Sequence, residues 1–105
     1  MTTPFAFAIM TAMTSKLMLN ERHILADYAF VEMVVWLLDH PLPNSSHSYK
    51  YRLAFVVDDE CVVRYDNEAG KGDHKHIGDA ERPYTFTSPQ ILLDDFWRDV
   101  EKWRA

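Results

Sequence analysis

Tyr49-Lys50-Tyr51-Arg52-Leu53-Ala54-Phe55-Val56-Val57, then Asp58-Asp59-Glu60, then Cys61-Val62-Val63-Arg64-Tyr65, is the stretch on which the fold turns. Tyr49, Tyr51, Leu53, Phe55 and Val57 alternate with Lys50 and Arg52, the period-two pattern of a half-buried strand. A short acidic turn follows, and then a second strand-like run. Two strands joined so tightly predict an antiparallel hairpin. Cys61, a lone thiol in an apolar run, reads as a small buried hydrophobe.

Working upstream, Phe30-Val31-Glu32-Met33-Val34-Val35-Trp36-Leu37-Leu38 is a nearly continuous apolar run. Periodicity alone allows a helix there, but β-branched and aromatic residues favour a strand, with Val31, Met33, Val35 and Leu37 on one face. Asp39 to Ser48, with two prolines and a Ser/Asn tract, is a loop by composition. Nearer the N-terminus, Leu17, Leu19, Ile24 and Leu25 flank the polar cluster Asn20-Glu21-Arg22-His23, which fits either a turn or an exposed edge.

Downstream, His74 to Ile77 is expected as a short strand, Asp79 to Pro83 as a turn, and Tyr84-Thr85-Phe86 as a last extended piece. Ser88 is a good N-cap and Pro89 suits the first helical position. Leu92, Phe96, Val100 and Trp103 then recur at helical spacing, widened by Leu93 and Trp97. The expectation is an α+β fold: a mainly antiparallel β-sheet of about five strands with a C-terminal α-helix packed on one face.

At 105 residues the chain fits a single domain, placed at 16–105, with residues 1–15 as an extension that stands unstructured outside the fold. A net charge of −5 and a pI near 5.4 exclude a general basic nucleic-acid binder, so any RNA contact must use a local patch. One cysteine excludes an internal disulfide framework and suits the reducing cytoplasm. No Lys or Arg precedes Lys16, so the basic region of a secretory signal is missing, and a cytoplasmic location is expected.

All three glycines fall within Tyr65-Asp66-Asn67-Glu68-Ala69-Gly70-Lys71-Gly72-Asp73-His74-Lys75-His76-Ile77-Gly78, beside two lysines, two histidines and three acidic residues. Such a density of titratable groups marks where chemistry is expected. A His-x-His pair in a polar loop is often only solvated, and Asp66 and Asn67 are also ordinary turn residues.

This run, with Glu32-Met33-Val34-Val35-Trp36, Tyr49-Lys50-Tyr51-Arg52-Leu53, Pro83-Tyr84 and Leu92-Leu93-Asp94-Asp95-Phe96, closely resembles the TumE-type toxins of bacterial type II toxin–antitoxin pairs. The resemblance covers roughly residues 16–104. It implies a toxin neutralised by a cognate antitoxin protein and acting as an RNA-cleaving enzyme. RNA cleavage requires a base for the 2′-OH, an acid for the leaving oxygen and cations for the phosphate. His74 and His76 are the acid–base candidates, with Lys71, Asp73, Glu68 and Asp66 as catalytic or orienting groups. Arg64, Lys75 and the N–H groups at Gly70 and Gly72 are candidate phosphate binders, Tyr65 and Tyr84 candidate stacking platforms, and Asn67 a further contact. Lys50 and Arg52 extend a basic surface toward this run. A metal-dependent nuclease using Asp66, Glu68, Asp73, His74 and His76 is one alternative, and a non-catalytic binding module is another. No compact zinc spacing is present and two lysines share the stretch, so no metal and no cofactor are expected.

Overall fold

The computed structural model describes residues 15–104. Among these residues six strands, β1 (Ser15–Ala26), β2 (Ala29–Leu38), β3 (Tyr49–Val57), β4 (Glu60–Glu68), β5 (Gly72–Ile77) and β6 (Ala80–Pro83), precede one helix, α1 (Pro89–Arg104). The strands form one sheet in sequence order, every neighbouring pair antiparallel. Of the expected N-terminal extension, only Ser15 falls among the described residues, where it opens β1 opposite Leu38.

The hairpin that decides the fold closes through Asp58 and Asp59, both at positive φ (50° and 66°). This left-handed pair matches the twist of the flanking strands, and Asp tolerates it better than most residues. The expected acidic turn is therefore two residues long, and Glu60 already pairs with Val57. A bulge follows, because Phe55 faces Val63 while Val56 faces Cys61. The extra residue lets Val62 and Val63 both be buried and leaves Cys61 exposed, contrary to its expected burial.

Val31, Met33 and Val35 of β2, Tyr51, Leu53 and Phe55 of β3, and Val63 and Tyr65 of β4 bury one face of the sheet against Leu92, Phe96 and Val100 of α1. The helix begins as expected: Ser88 Oγ accepts from the Ile91 N–H at 3.2 Å, and its carbonyl from the Leu92 N–H at 2.9 Å. Trp103, the last residue of the expected stripe, is 44% exposed and lines a hollow with Ala29 and Phe55. Leu37 is only half-buried, and Leu38, on the Trp36 face of β2, is buried in a separate small cluster with Leu42.

Two other segments differ from expectation. Residues 80–83 form the edge strand β6 rather than a turn; its exposed, charged composition hid it, as suits an edge. Tyr84 to Phe86 is not a strand: the Tyr84 N–H still donates to the Asp73 carbonyl at 3.1 Å, and the chain then leaves the sheet to reach the helix. The cluster Asn20–His23 proves to be exposed edge, running unbroken through β1. Among the described residues, no helix is long and apolar enough to cross a membrane.

Phe96 has no exposed surface and meets the Tyr65 ring edge-on at 5.7 Å. Phe96→Ala should therefore lower unfolding free energy by about 3–5 kcal/mol in a urea titration, since the hole lies where helix and sheet meet.

Candidate functional site

Strand alternation sorts the charged run of β4 and β5 onto two faces. The Tyr65 hydroxyl donates to the Asp99 carboxylate and lies 3.2 Å from the Asp95 carbonyl, and Lys75 Nζ reaches Asp99 at 3.1 Å. Tyr65 and Lys75 thus face the helix. Their strand neighbours, Arg64 and Asp66 on β4 and His74 and His76 on β5, face the other way, onto the side the helix leaves uncovered. Cross-strand register then sets Arg64 opposite His76 and Asp66 opposite His74. Such directly opposed side chains are the closest a sheet offers.

The four meet in one cluster. Arg64 NH2 donates to His76 Nε2 at 2.7 Å, and Arg64 Nε lies 3.3 Å from Asp66 Oδ2. His74 Nδ1 is 3.1 Å from the Gly72 carbonyl, which can only accept, so Nδ1 carries a proton. His74 Nε2 is 2.7 Å from Asp66 Oδ1, although that buried oxygen has no donor aligned as a hydrogen bond. Burial first, then the Arg64 cation, push the His76 imidazole below its ordinary pKa and favour the neutral ring. His74 is only 5% exposed, whereas His76 reaches the surface.

Cations ring this cluster. Lys71, from the β4–β5 turn, pairs with Glu81 of β6 at 2.7 Å, and Glu81 lies 3.7 Å from His76 Nε2. Its hydrogen bond to Glu81 holds the Lys71 ammonium above the ordinary lysine pKa. Arg52 sits opposite Asp66 and is exposed. Lys50 lies further along β3 and donates to the Asn67 carbonyl; burial lowers its pKa, while Asp66 and the exposed Glu68 oppose the shift.

The remaining expected residues lie elsewhere or act on the fold. Asn67 is 1% exposed, and its side chain stands in for the β3–β4 ladder: Oδ1 accepts from the Tyr51 N–H at 3.0 Å and Nδ2 donates to the Tyr49 carbonyl at 2.8 Å. Tyr84 donates to Asp95 at 2.6 Å and meets the Tyr65 ring edge-on at 4.9 Å, so both tyrosines pack beneath the helix. Burial raises the pKa of both hydroxyls. Gly70 and Gly72 take the expected positive φ (82° and 85°), with open space where a Cβ would stand. Backbone conformation, not close approach, demands glycine there. The Gly70 N–H is spent on the Pro43 carbonyl at 3.1 Å.

Asp73 also faces the helix side, apart from the four-residue cluster. There its Oδ2 accepts from the Tyr51 hydroxyl at 2.6 Å and from His47 Nε2 at 2.8 Å. His47 Nδ1 accepts from the Tyr49 N–H, which fixes that tautomer, and its ring stacks on Phe86 at 4.0 Å. Sequence reasoning missed His47 and Glu81. A histidine in a Pro/Ser loop and a glutamate in an apparent turn carry no signal of their partners.

A family model described as Toxin TumE matches residues 11–104. No curated protein and no solved structure gives a match.

Asn67→Ala strips a partner from one buried N–H and one buried carbonyl. It should cost about 2–4 kcal/mol in chemical denaturation, in contrast to a near-neutral Glu68→Ala at the exposed strand end.

Proposed function

This chain belongs to the TumE toxin family, and from that premise we propose that it is an RNA-cleaving toxin restrained by a cognate antitoxin, with its chemistry on the uncovered face of the sheet. The observation that carries this reading is the convergence of Arg64, Asp66, His74 and His76 there, flanked by Arg52, Lys50 and Lys71. The acidic side chains of α1, Asp94, Asp95, Asp99 and Glu101, belong to the helix layer on the opposite side. A polyanion is therefore favoured on one face of a chain whose net charge is negative.

His76 is the base. Its Nε2 lone pair is held by Arg64 when no substrate is bound. A phosphodiester bound at this face draws the guanidinium to its oxygens, a stronger, charge-assisted partner than a neutral ring nitrogen. The same movement frees Nε2 to take the 2′-OH proton. The 2′-oxygen then attacks phosphorus, the P–O5′ bond breaks, and the departing oxygen takes a proton from water, whose hydroxide is neutralised by the proton that the His76 imidazolium gives up. A 2′,3′-cyclic phosphate and a 5′-hydroxyl result.

Arg64 and Lys71 carry the charge that gathers on the phosphoryl oxygens. His74 is too deeply buried to meet substrate and serves instead with Asp66 to position Arg64. Asp73, Asn67, Tyr65, Lys75 and Tyr84 support the strands that hold these groups in place.

His76→Ala should reduce cleavage of a defined RNA by about 10²-fold or more, with an unchanged circular-dichroism spectrum and retained antitoxin binding. EDTA should leave the parent activity intact. Loss of antitoxin binding together with toxicity in this variant would indicate a binding module, and loss of cleavage in EDTA a metal-dependent nuclease.

A further inference from the structure

A carboxylate oxygen of Asp66 and one imidazole nitrogen from each of His74 and His76 lie within 4.8 Å of one another. The pairing of β4 with β5 sets this spacing, since Asp66 and His74 are cross-strand partners and His76 is two residues beyond on the same face. Zinc accepts histidine nitrogen and carboxylate oxygen at roughly 2.0–2.2 Å, which puts neighbouring ligands about 3.3 Å apart on a tetrahedral ion. Modest side-chain rotation brings the three to that spacing.

Two local features favour a cation at this place. His74 Nδ1 donates to the Gly72 carbonyl, the backbone contact that commonly orients a metal-binding histidine and leaves Nε2 as the ligand atom. That Nε2 then faces Asp66 Oδ1 at 2.7 Å, and the buried oxygen has no aligned donor. Two acceptors so close demand a positive centre, a proton or an ion. One feature opposes it: Arg64 holds His76 Nε2 and places its own charge beside the site.

We propose that Asp66, His74 and His76 form a binding site for a divalent transition-metal ion of the zinc class, in competition with the Arg64 guanidinium. Two imidazoles and one carboxylate favour zinc, nickel or copper over magnesium, which prefers an all-oxygen shell. The ion occupies the lone pair that would remove the 2′-OH proton. On the function proposed above, zinc is therefore an inhibitor of cleavage, and that clause alone rests on it.

Calorimetric titration of the purified full chain with zinc chloride, and separately with magnesium chloride, tests the site without RNA. One zinc ion should bind at least ~10-fold tighter than magnesium. His76→Ala and Asp66→Asn should each weaken zinc binding by about 10–100-fold, with folding checked by circular dichroism. Arg64→Gln should tighten it, a gain that a merely structural arginine would not produce. His23→Ala, at the exposed pair His23–Glu21 (2.8 Å) on β1, should leave it unchanged.

Zinc binding no tighter than magnesium, or equal binding by His76→Ala and the parent, would overturn the proposal. Zinc bound as expected by a protein that cuts no RNA would uphold the site and reject the nuclease function. Cleavage without zinc binding would do the reverse, and activation by added zinc would overturn the inhibitory clause.

Discussion

Leu92, Phe96 and Val100 lie fully buried against the central strands, and among the described residues this one contact divides the sheet into a side that the helix covers and a side that it does not. Because side chains alternate strictly along a strand, burying one set of β4 positions commits the other set to the opposite face. Val63 and Tyr65 are held by the helix, so Arg64 and Asp66 cannot join them. The same logic on β5 sends Lys75 inward to Asp99 and leaves His74 and His76 outside. A slip of one residue in either strand would exchange the two sets and dismantle the cluster.

Electrostatics follow the same division. Asp95 and Asp99 do not merely decorate the helix; they accept from Tyr84, Tyr65 and Lys75 and tie it to the sheet. The face that α1 does not cover sets Lys50, Arg52, Arg64 and Lys71 among Asp66, Glu68 and Glu81, so its cations stand beside carboxylates that pair with them. Arg64 stands at its centre. It contacts Asp66 and His76 at once.

The junction of β3, β4 and the 39–48 loop shows how polar residues complete such a sheet. Where the ladder between β3 and β4 ends, the Asn67 amide replaces it, and the buried carbonyl and N–H it meets would otherwise lack partners. Asp73 fixes His47 and Tyr51 in a similar way, and Phe86 closes over His47. Residues that resemble a catalytic inventory in sequence are here partly a scaffold. Burying them without these hydrogen bonds would cost more than their packing returns.

Local chemistry made much of this legible from the chain alone. The alternation of Tyr49 to Val57, the Asp58-Asp59 turn, the Ser88-Pro89 helix start and the glycine-bearing run each depend on near neighbours, and each was readable as such. Cys61 and β6 were misread because a bulge and a strand pairing are set by partners across the sheet, not along it. Which of Asp66 and Asp73 meets His74, that Asn67 is buried, and that His47 joins Asp73 from 26 residues away were decided only in tertiary structure. Adjacent positions in a strand point to opposite faces, and only the packing of the helix determines which face is left open.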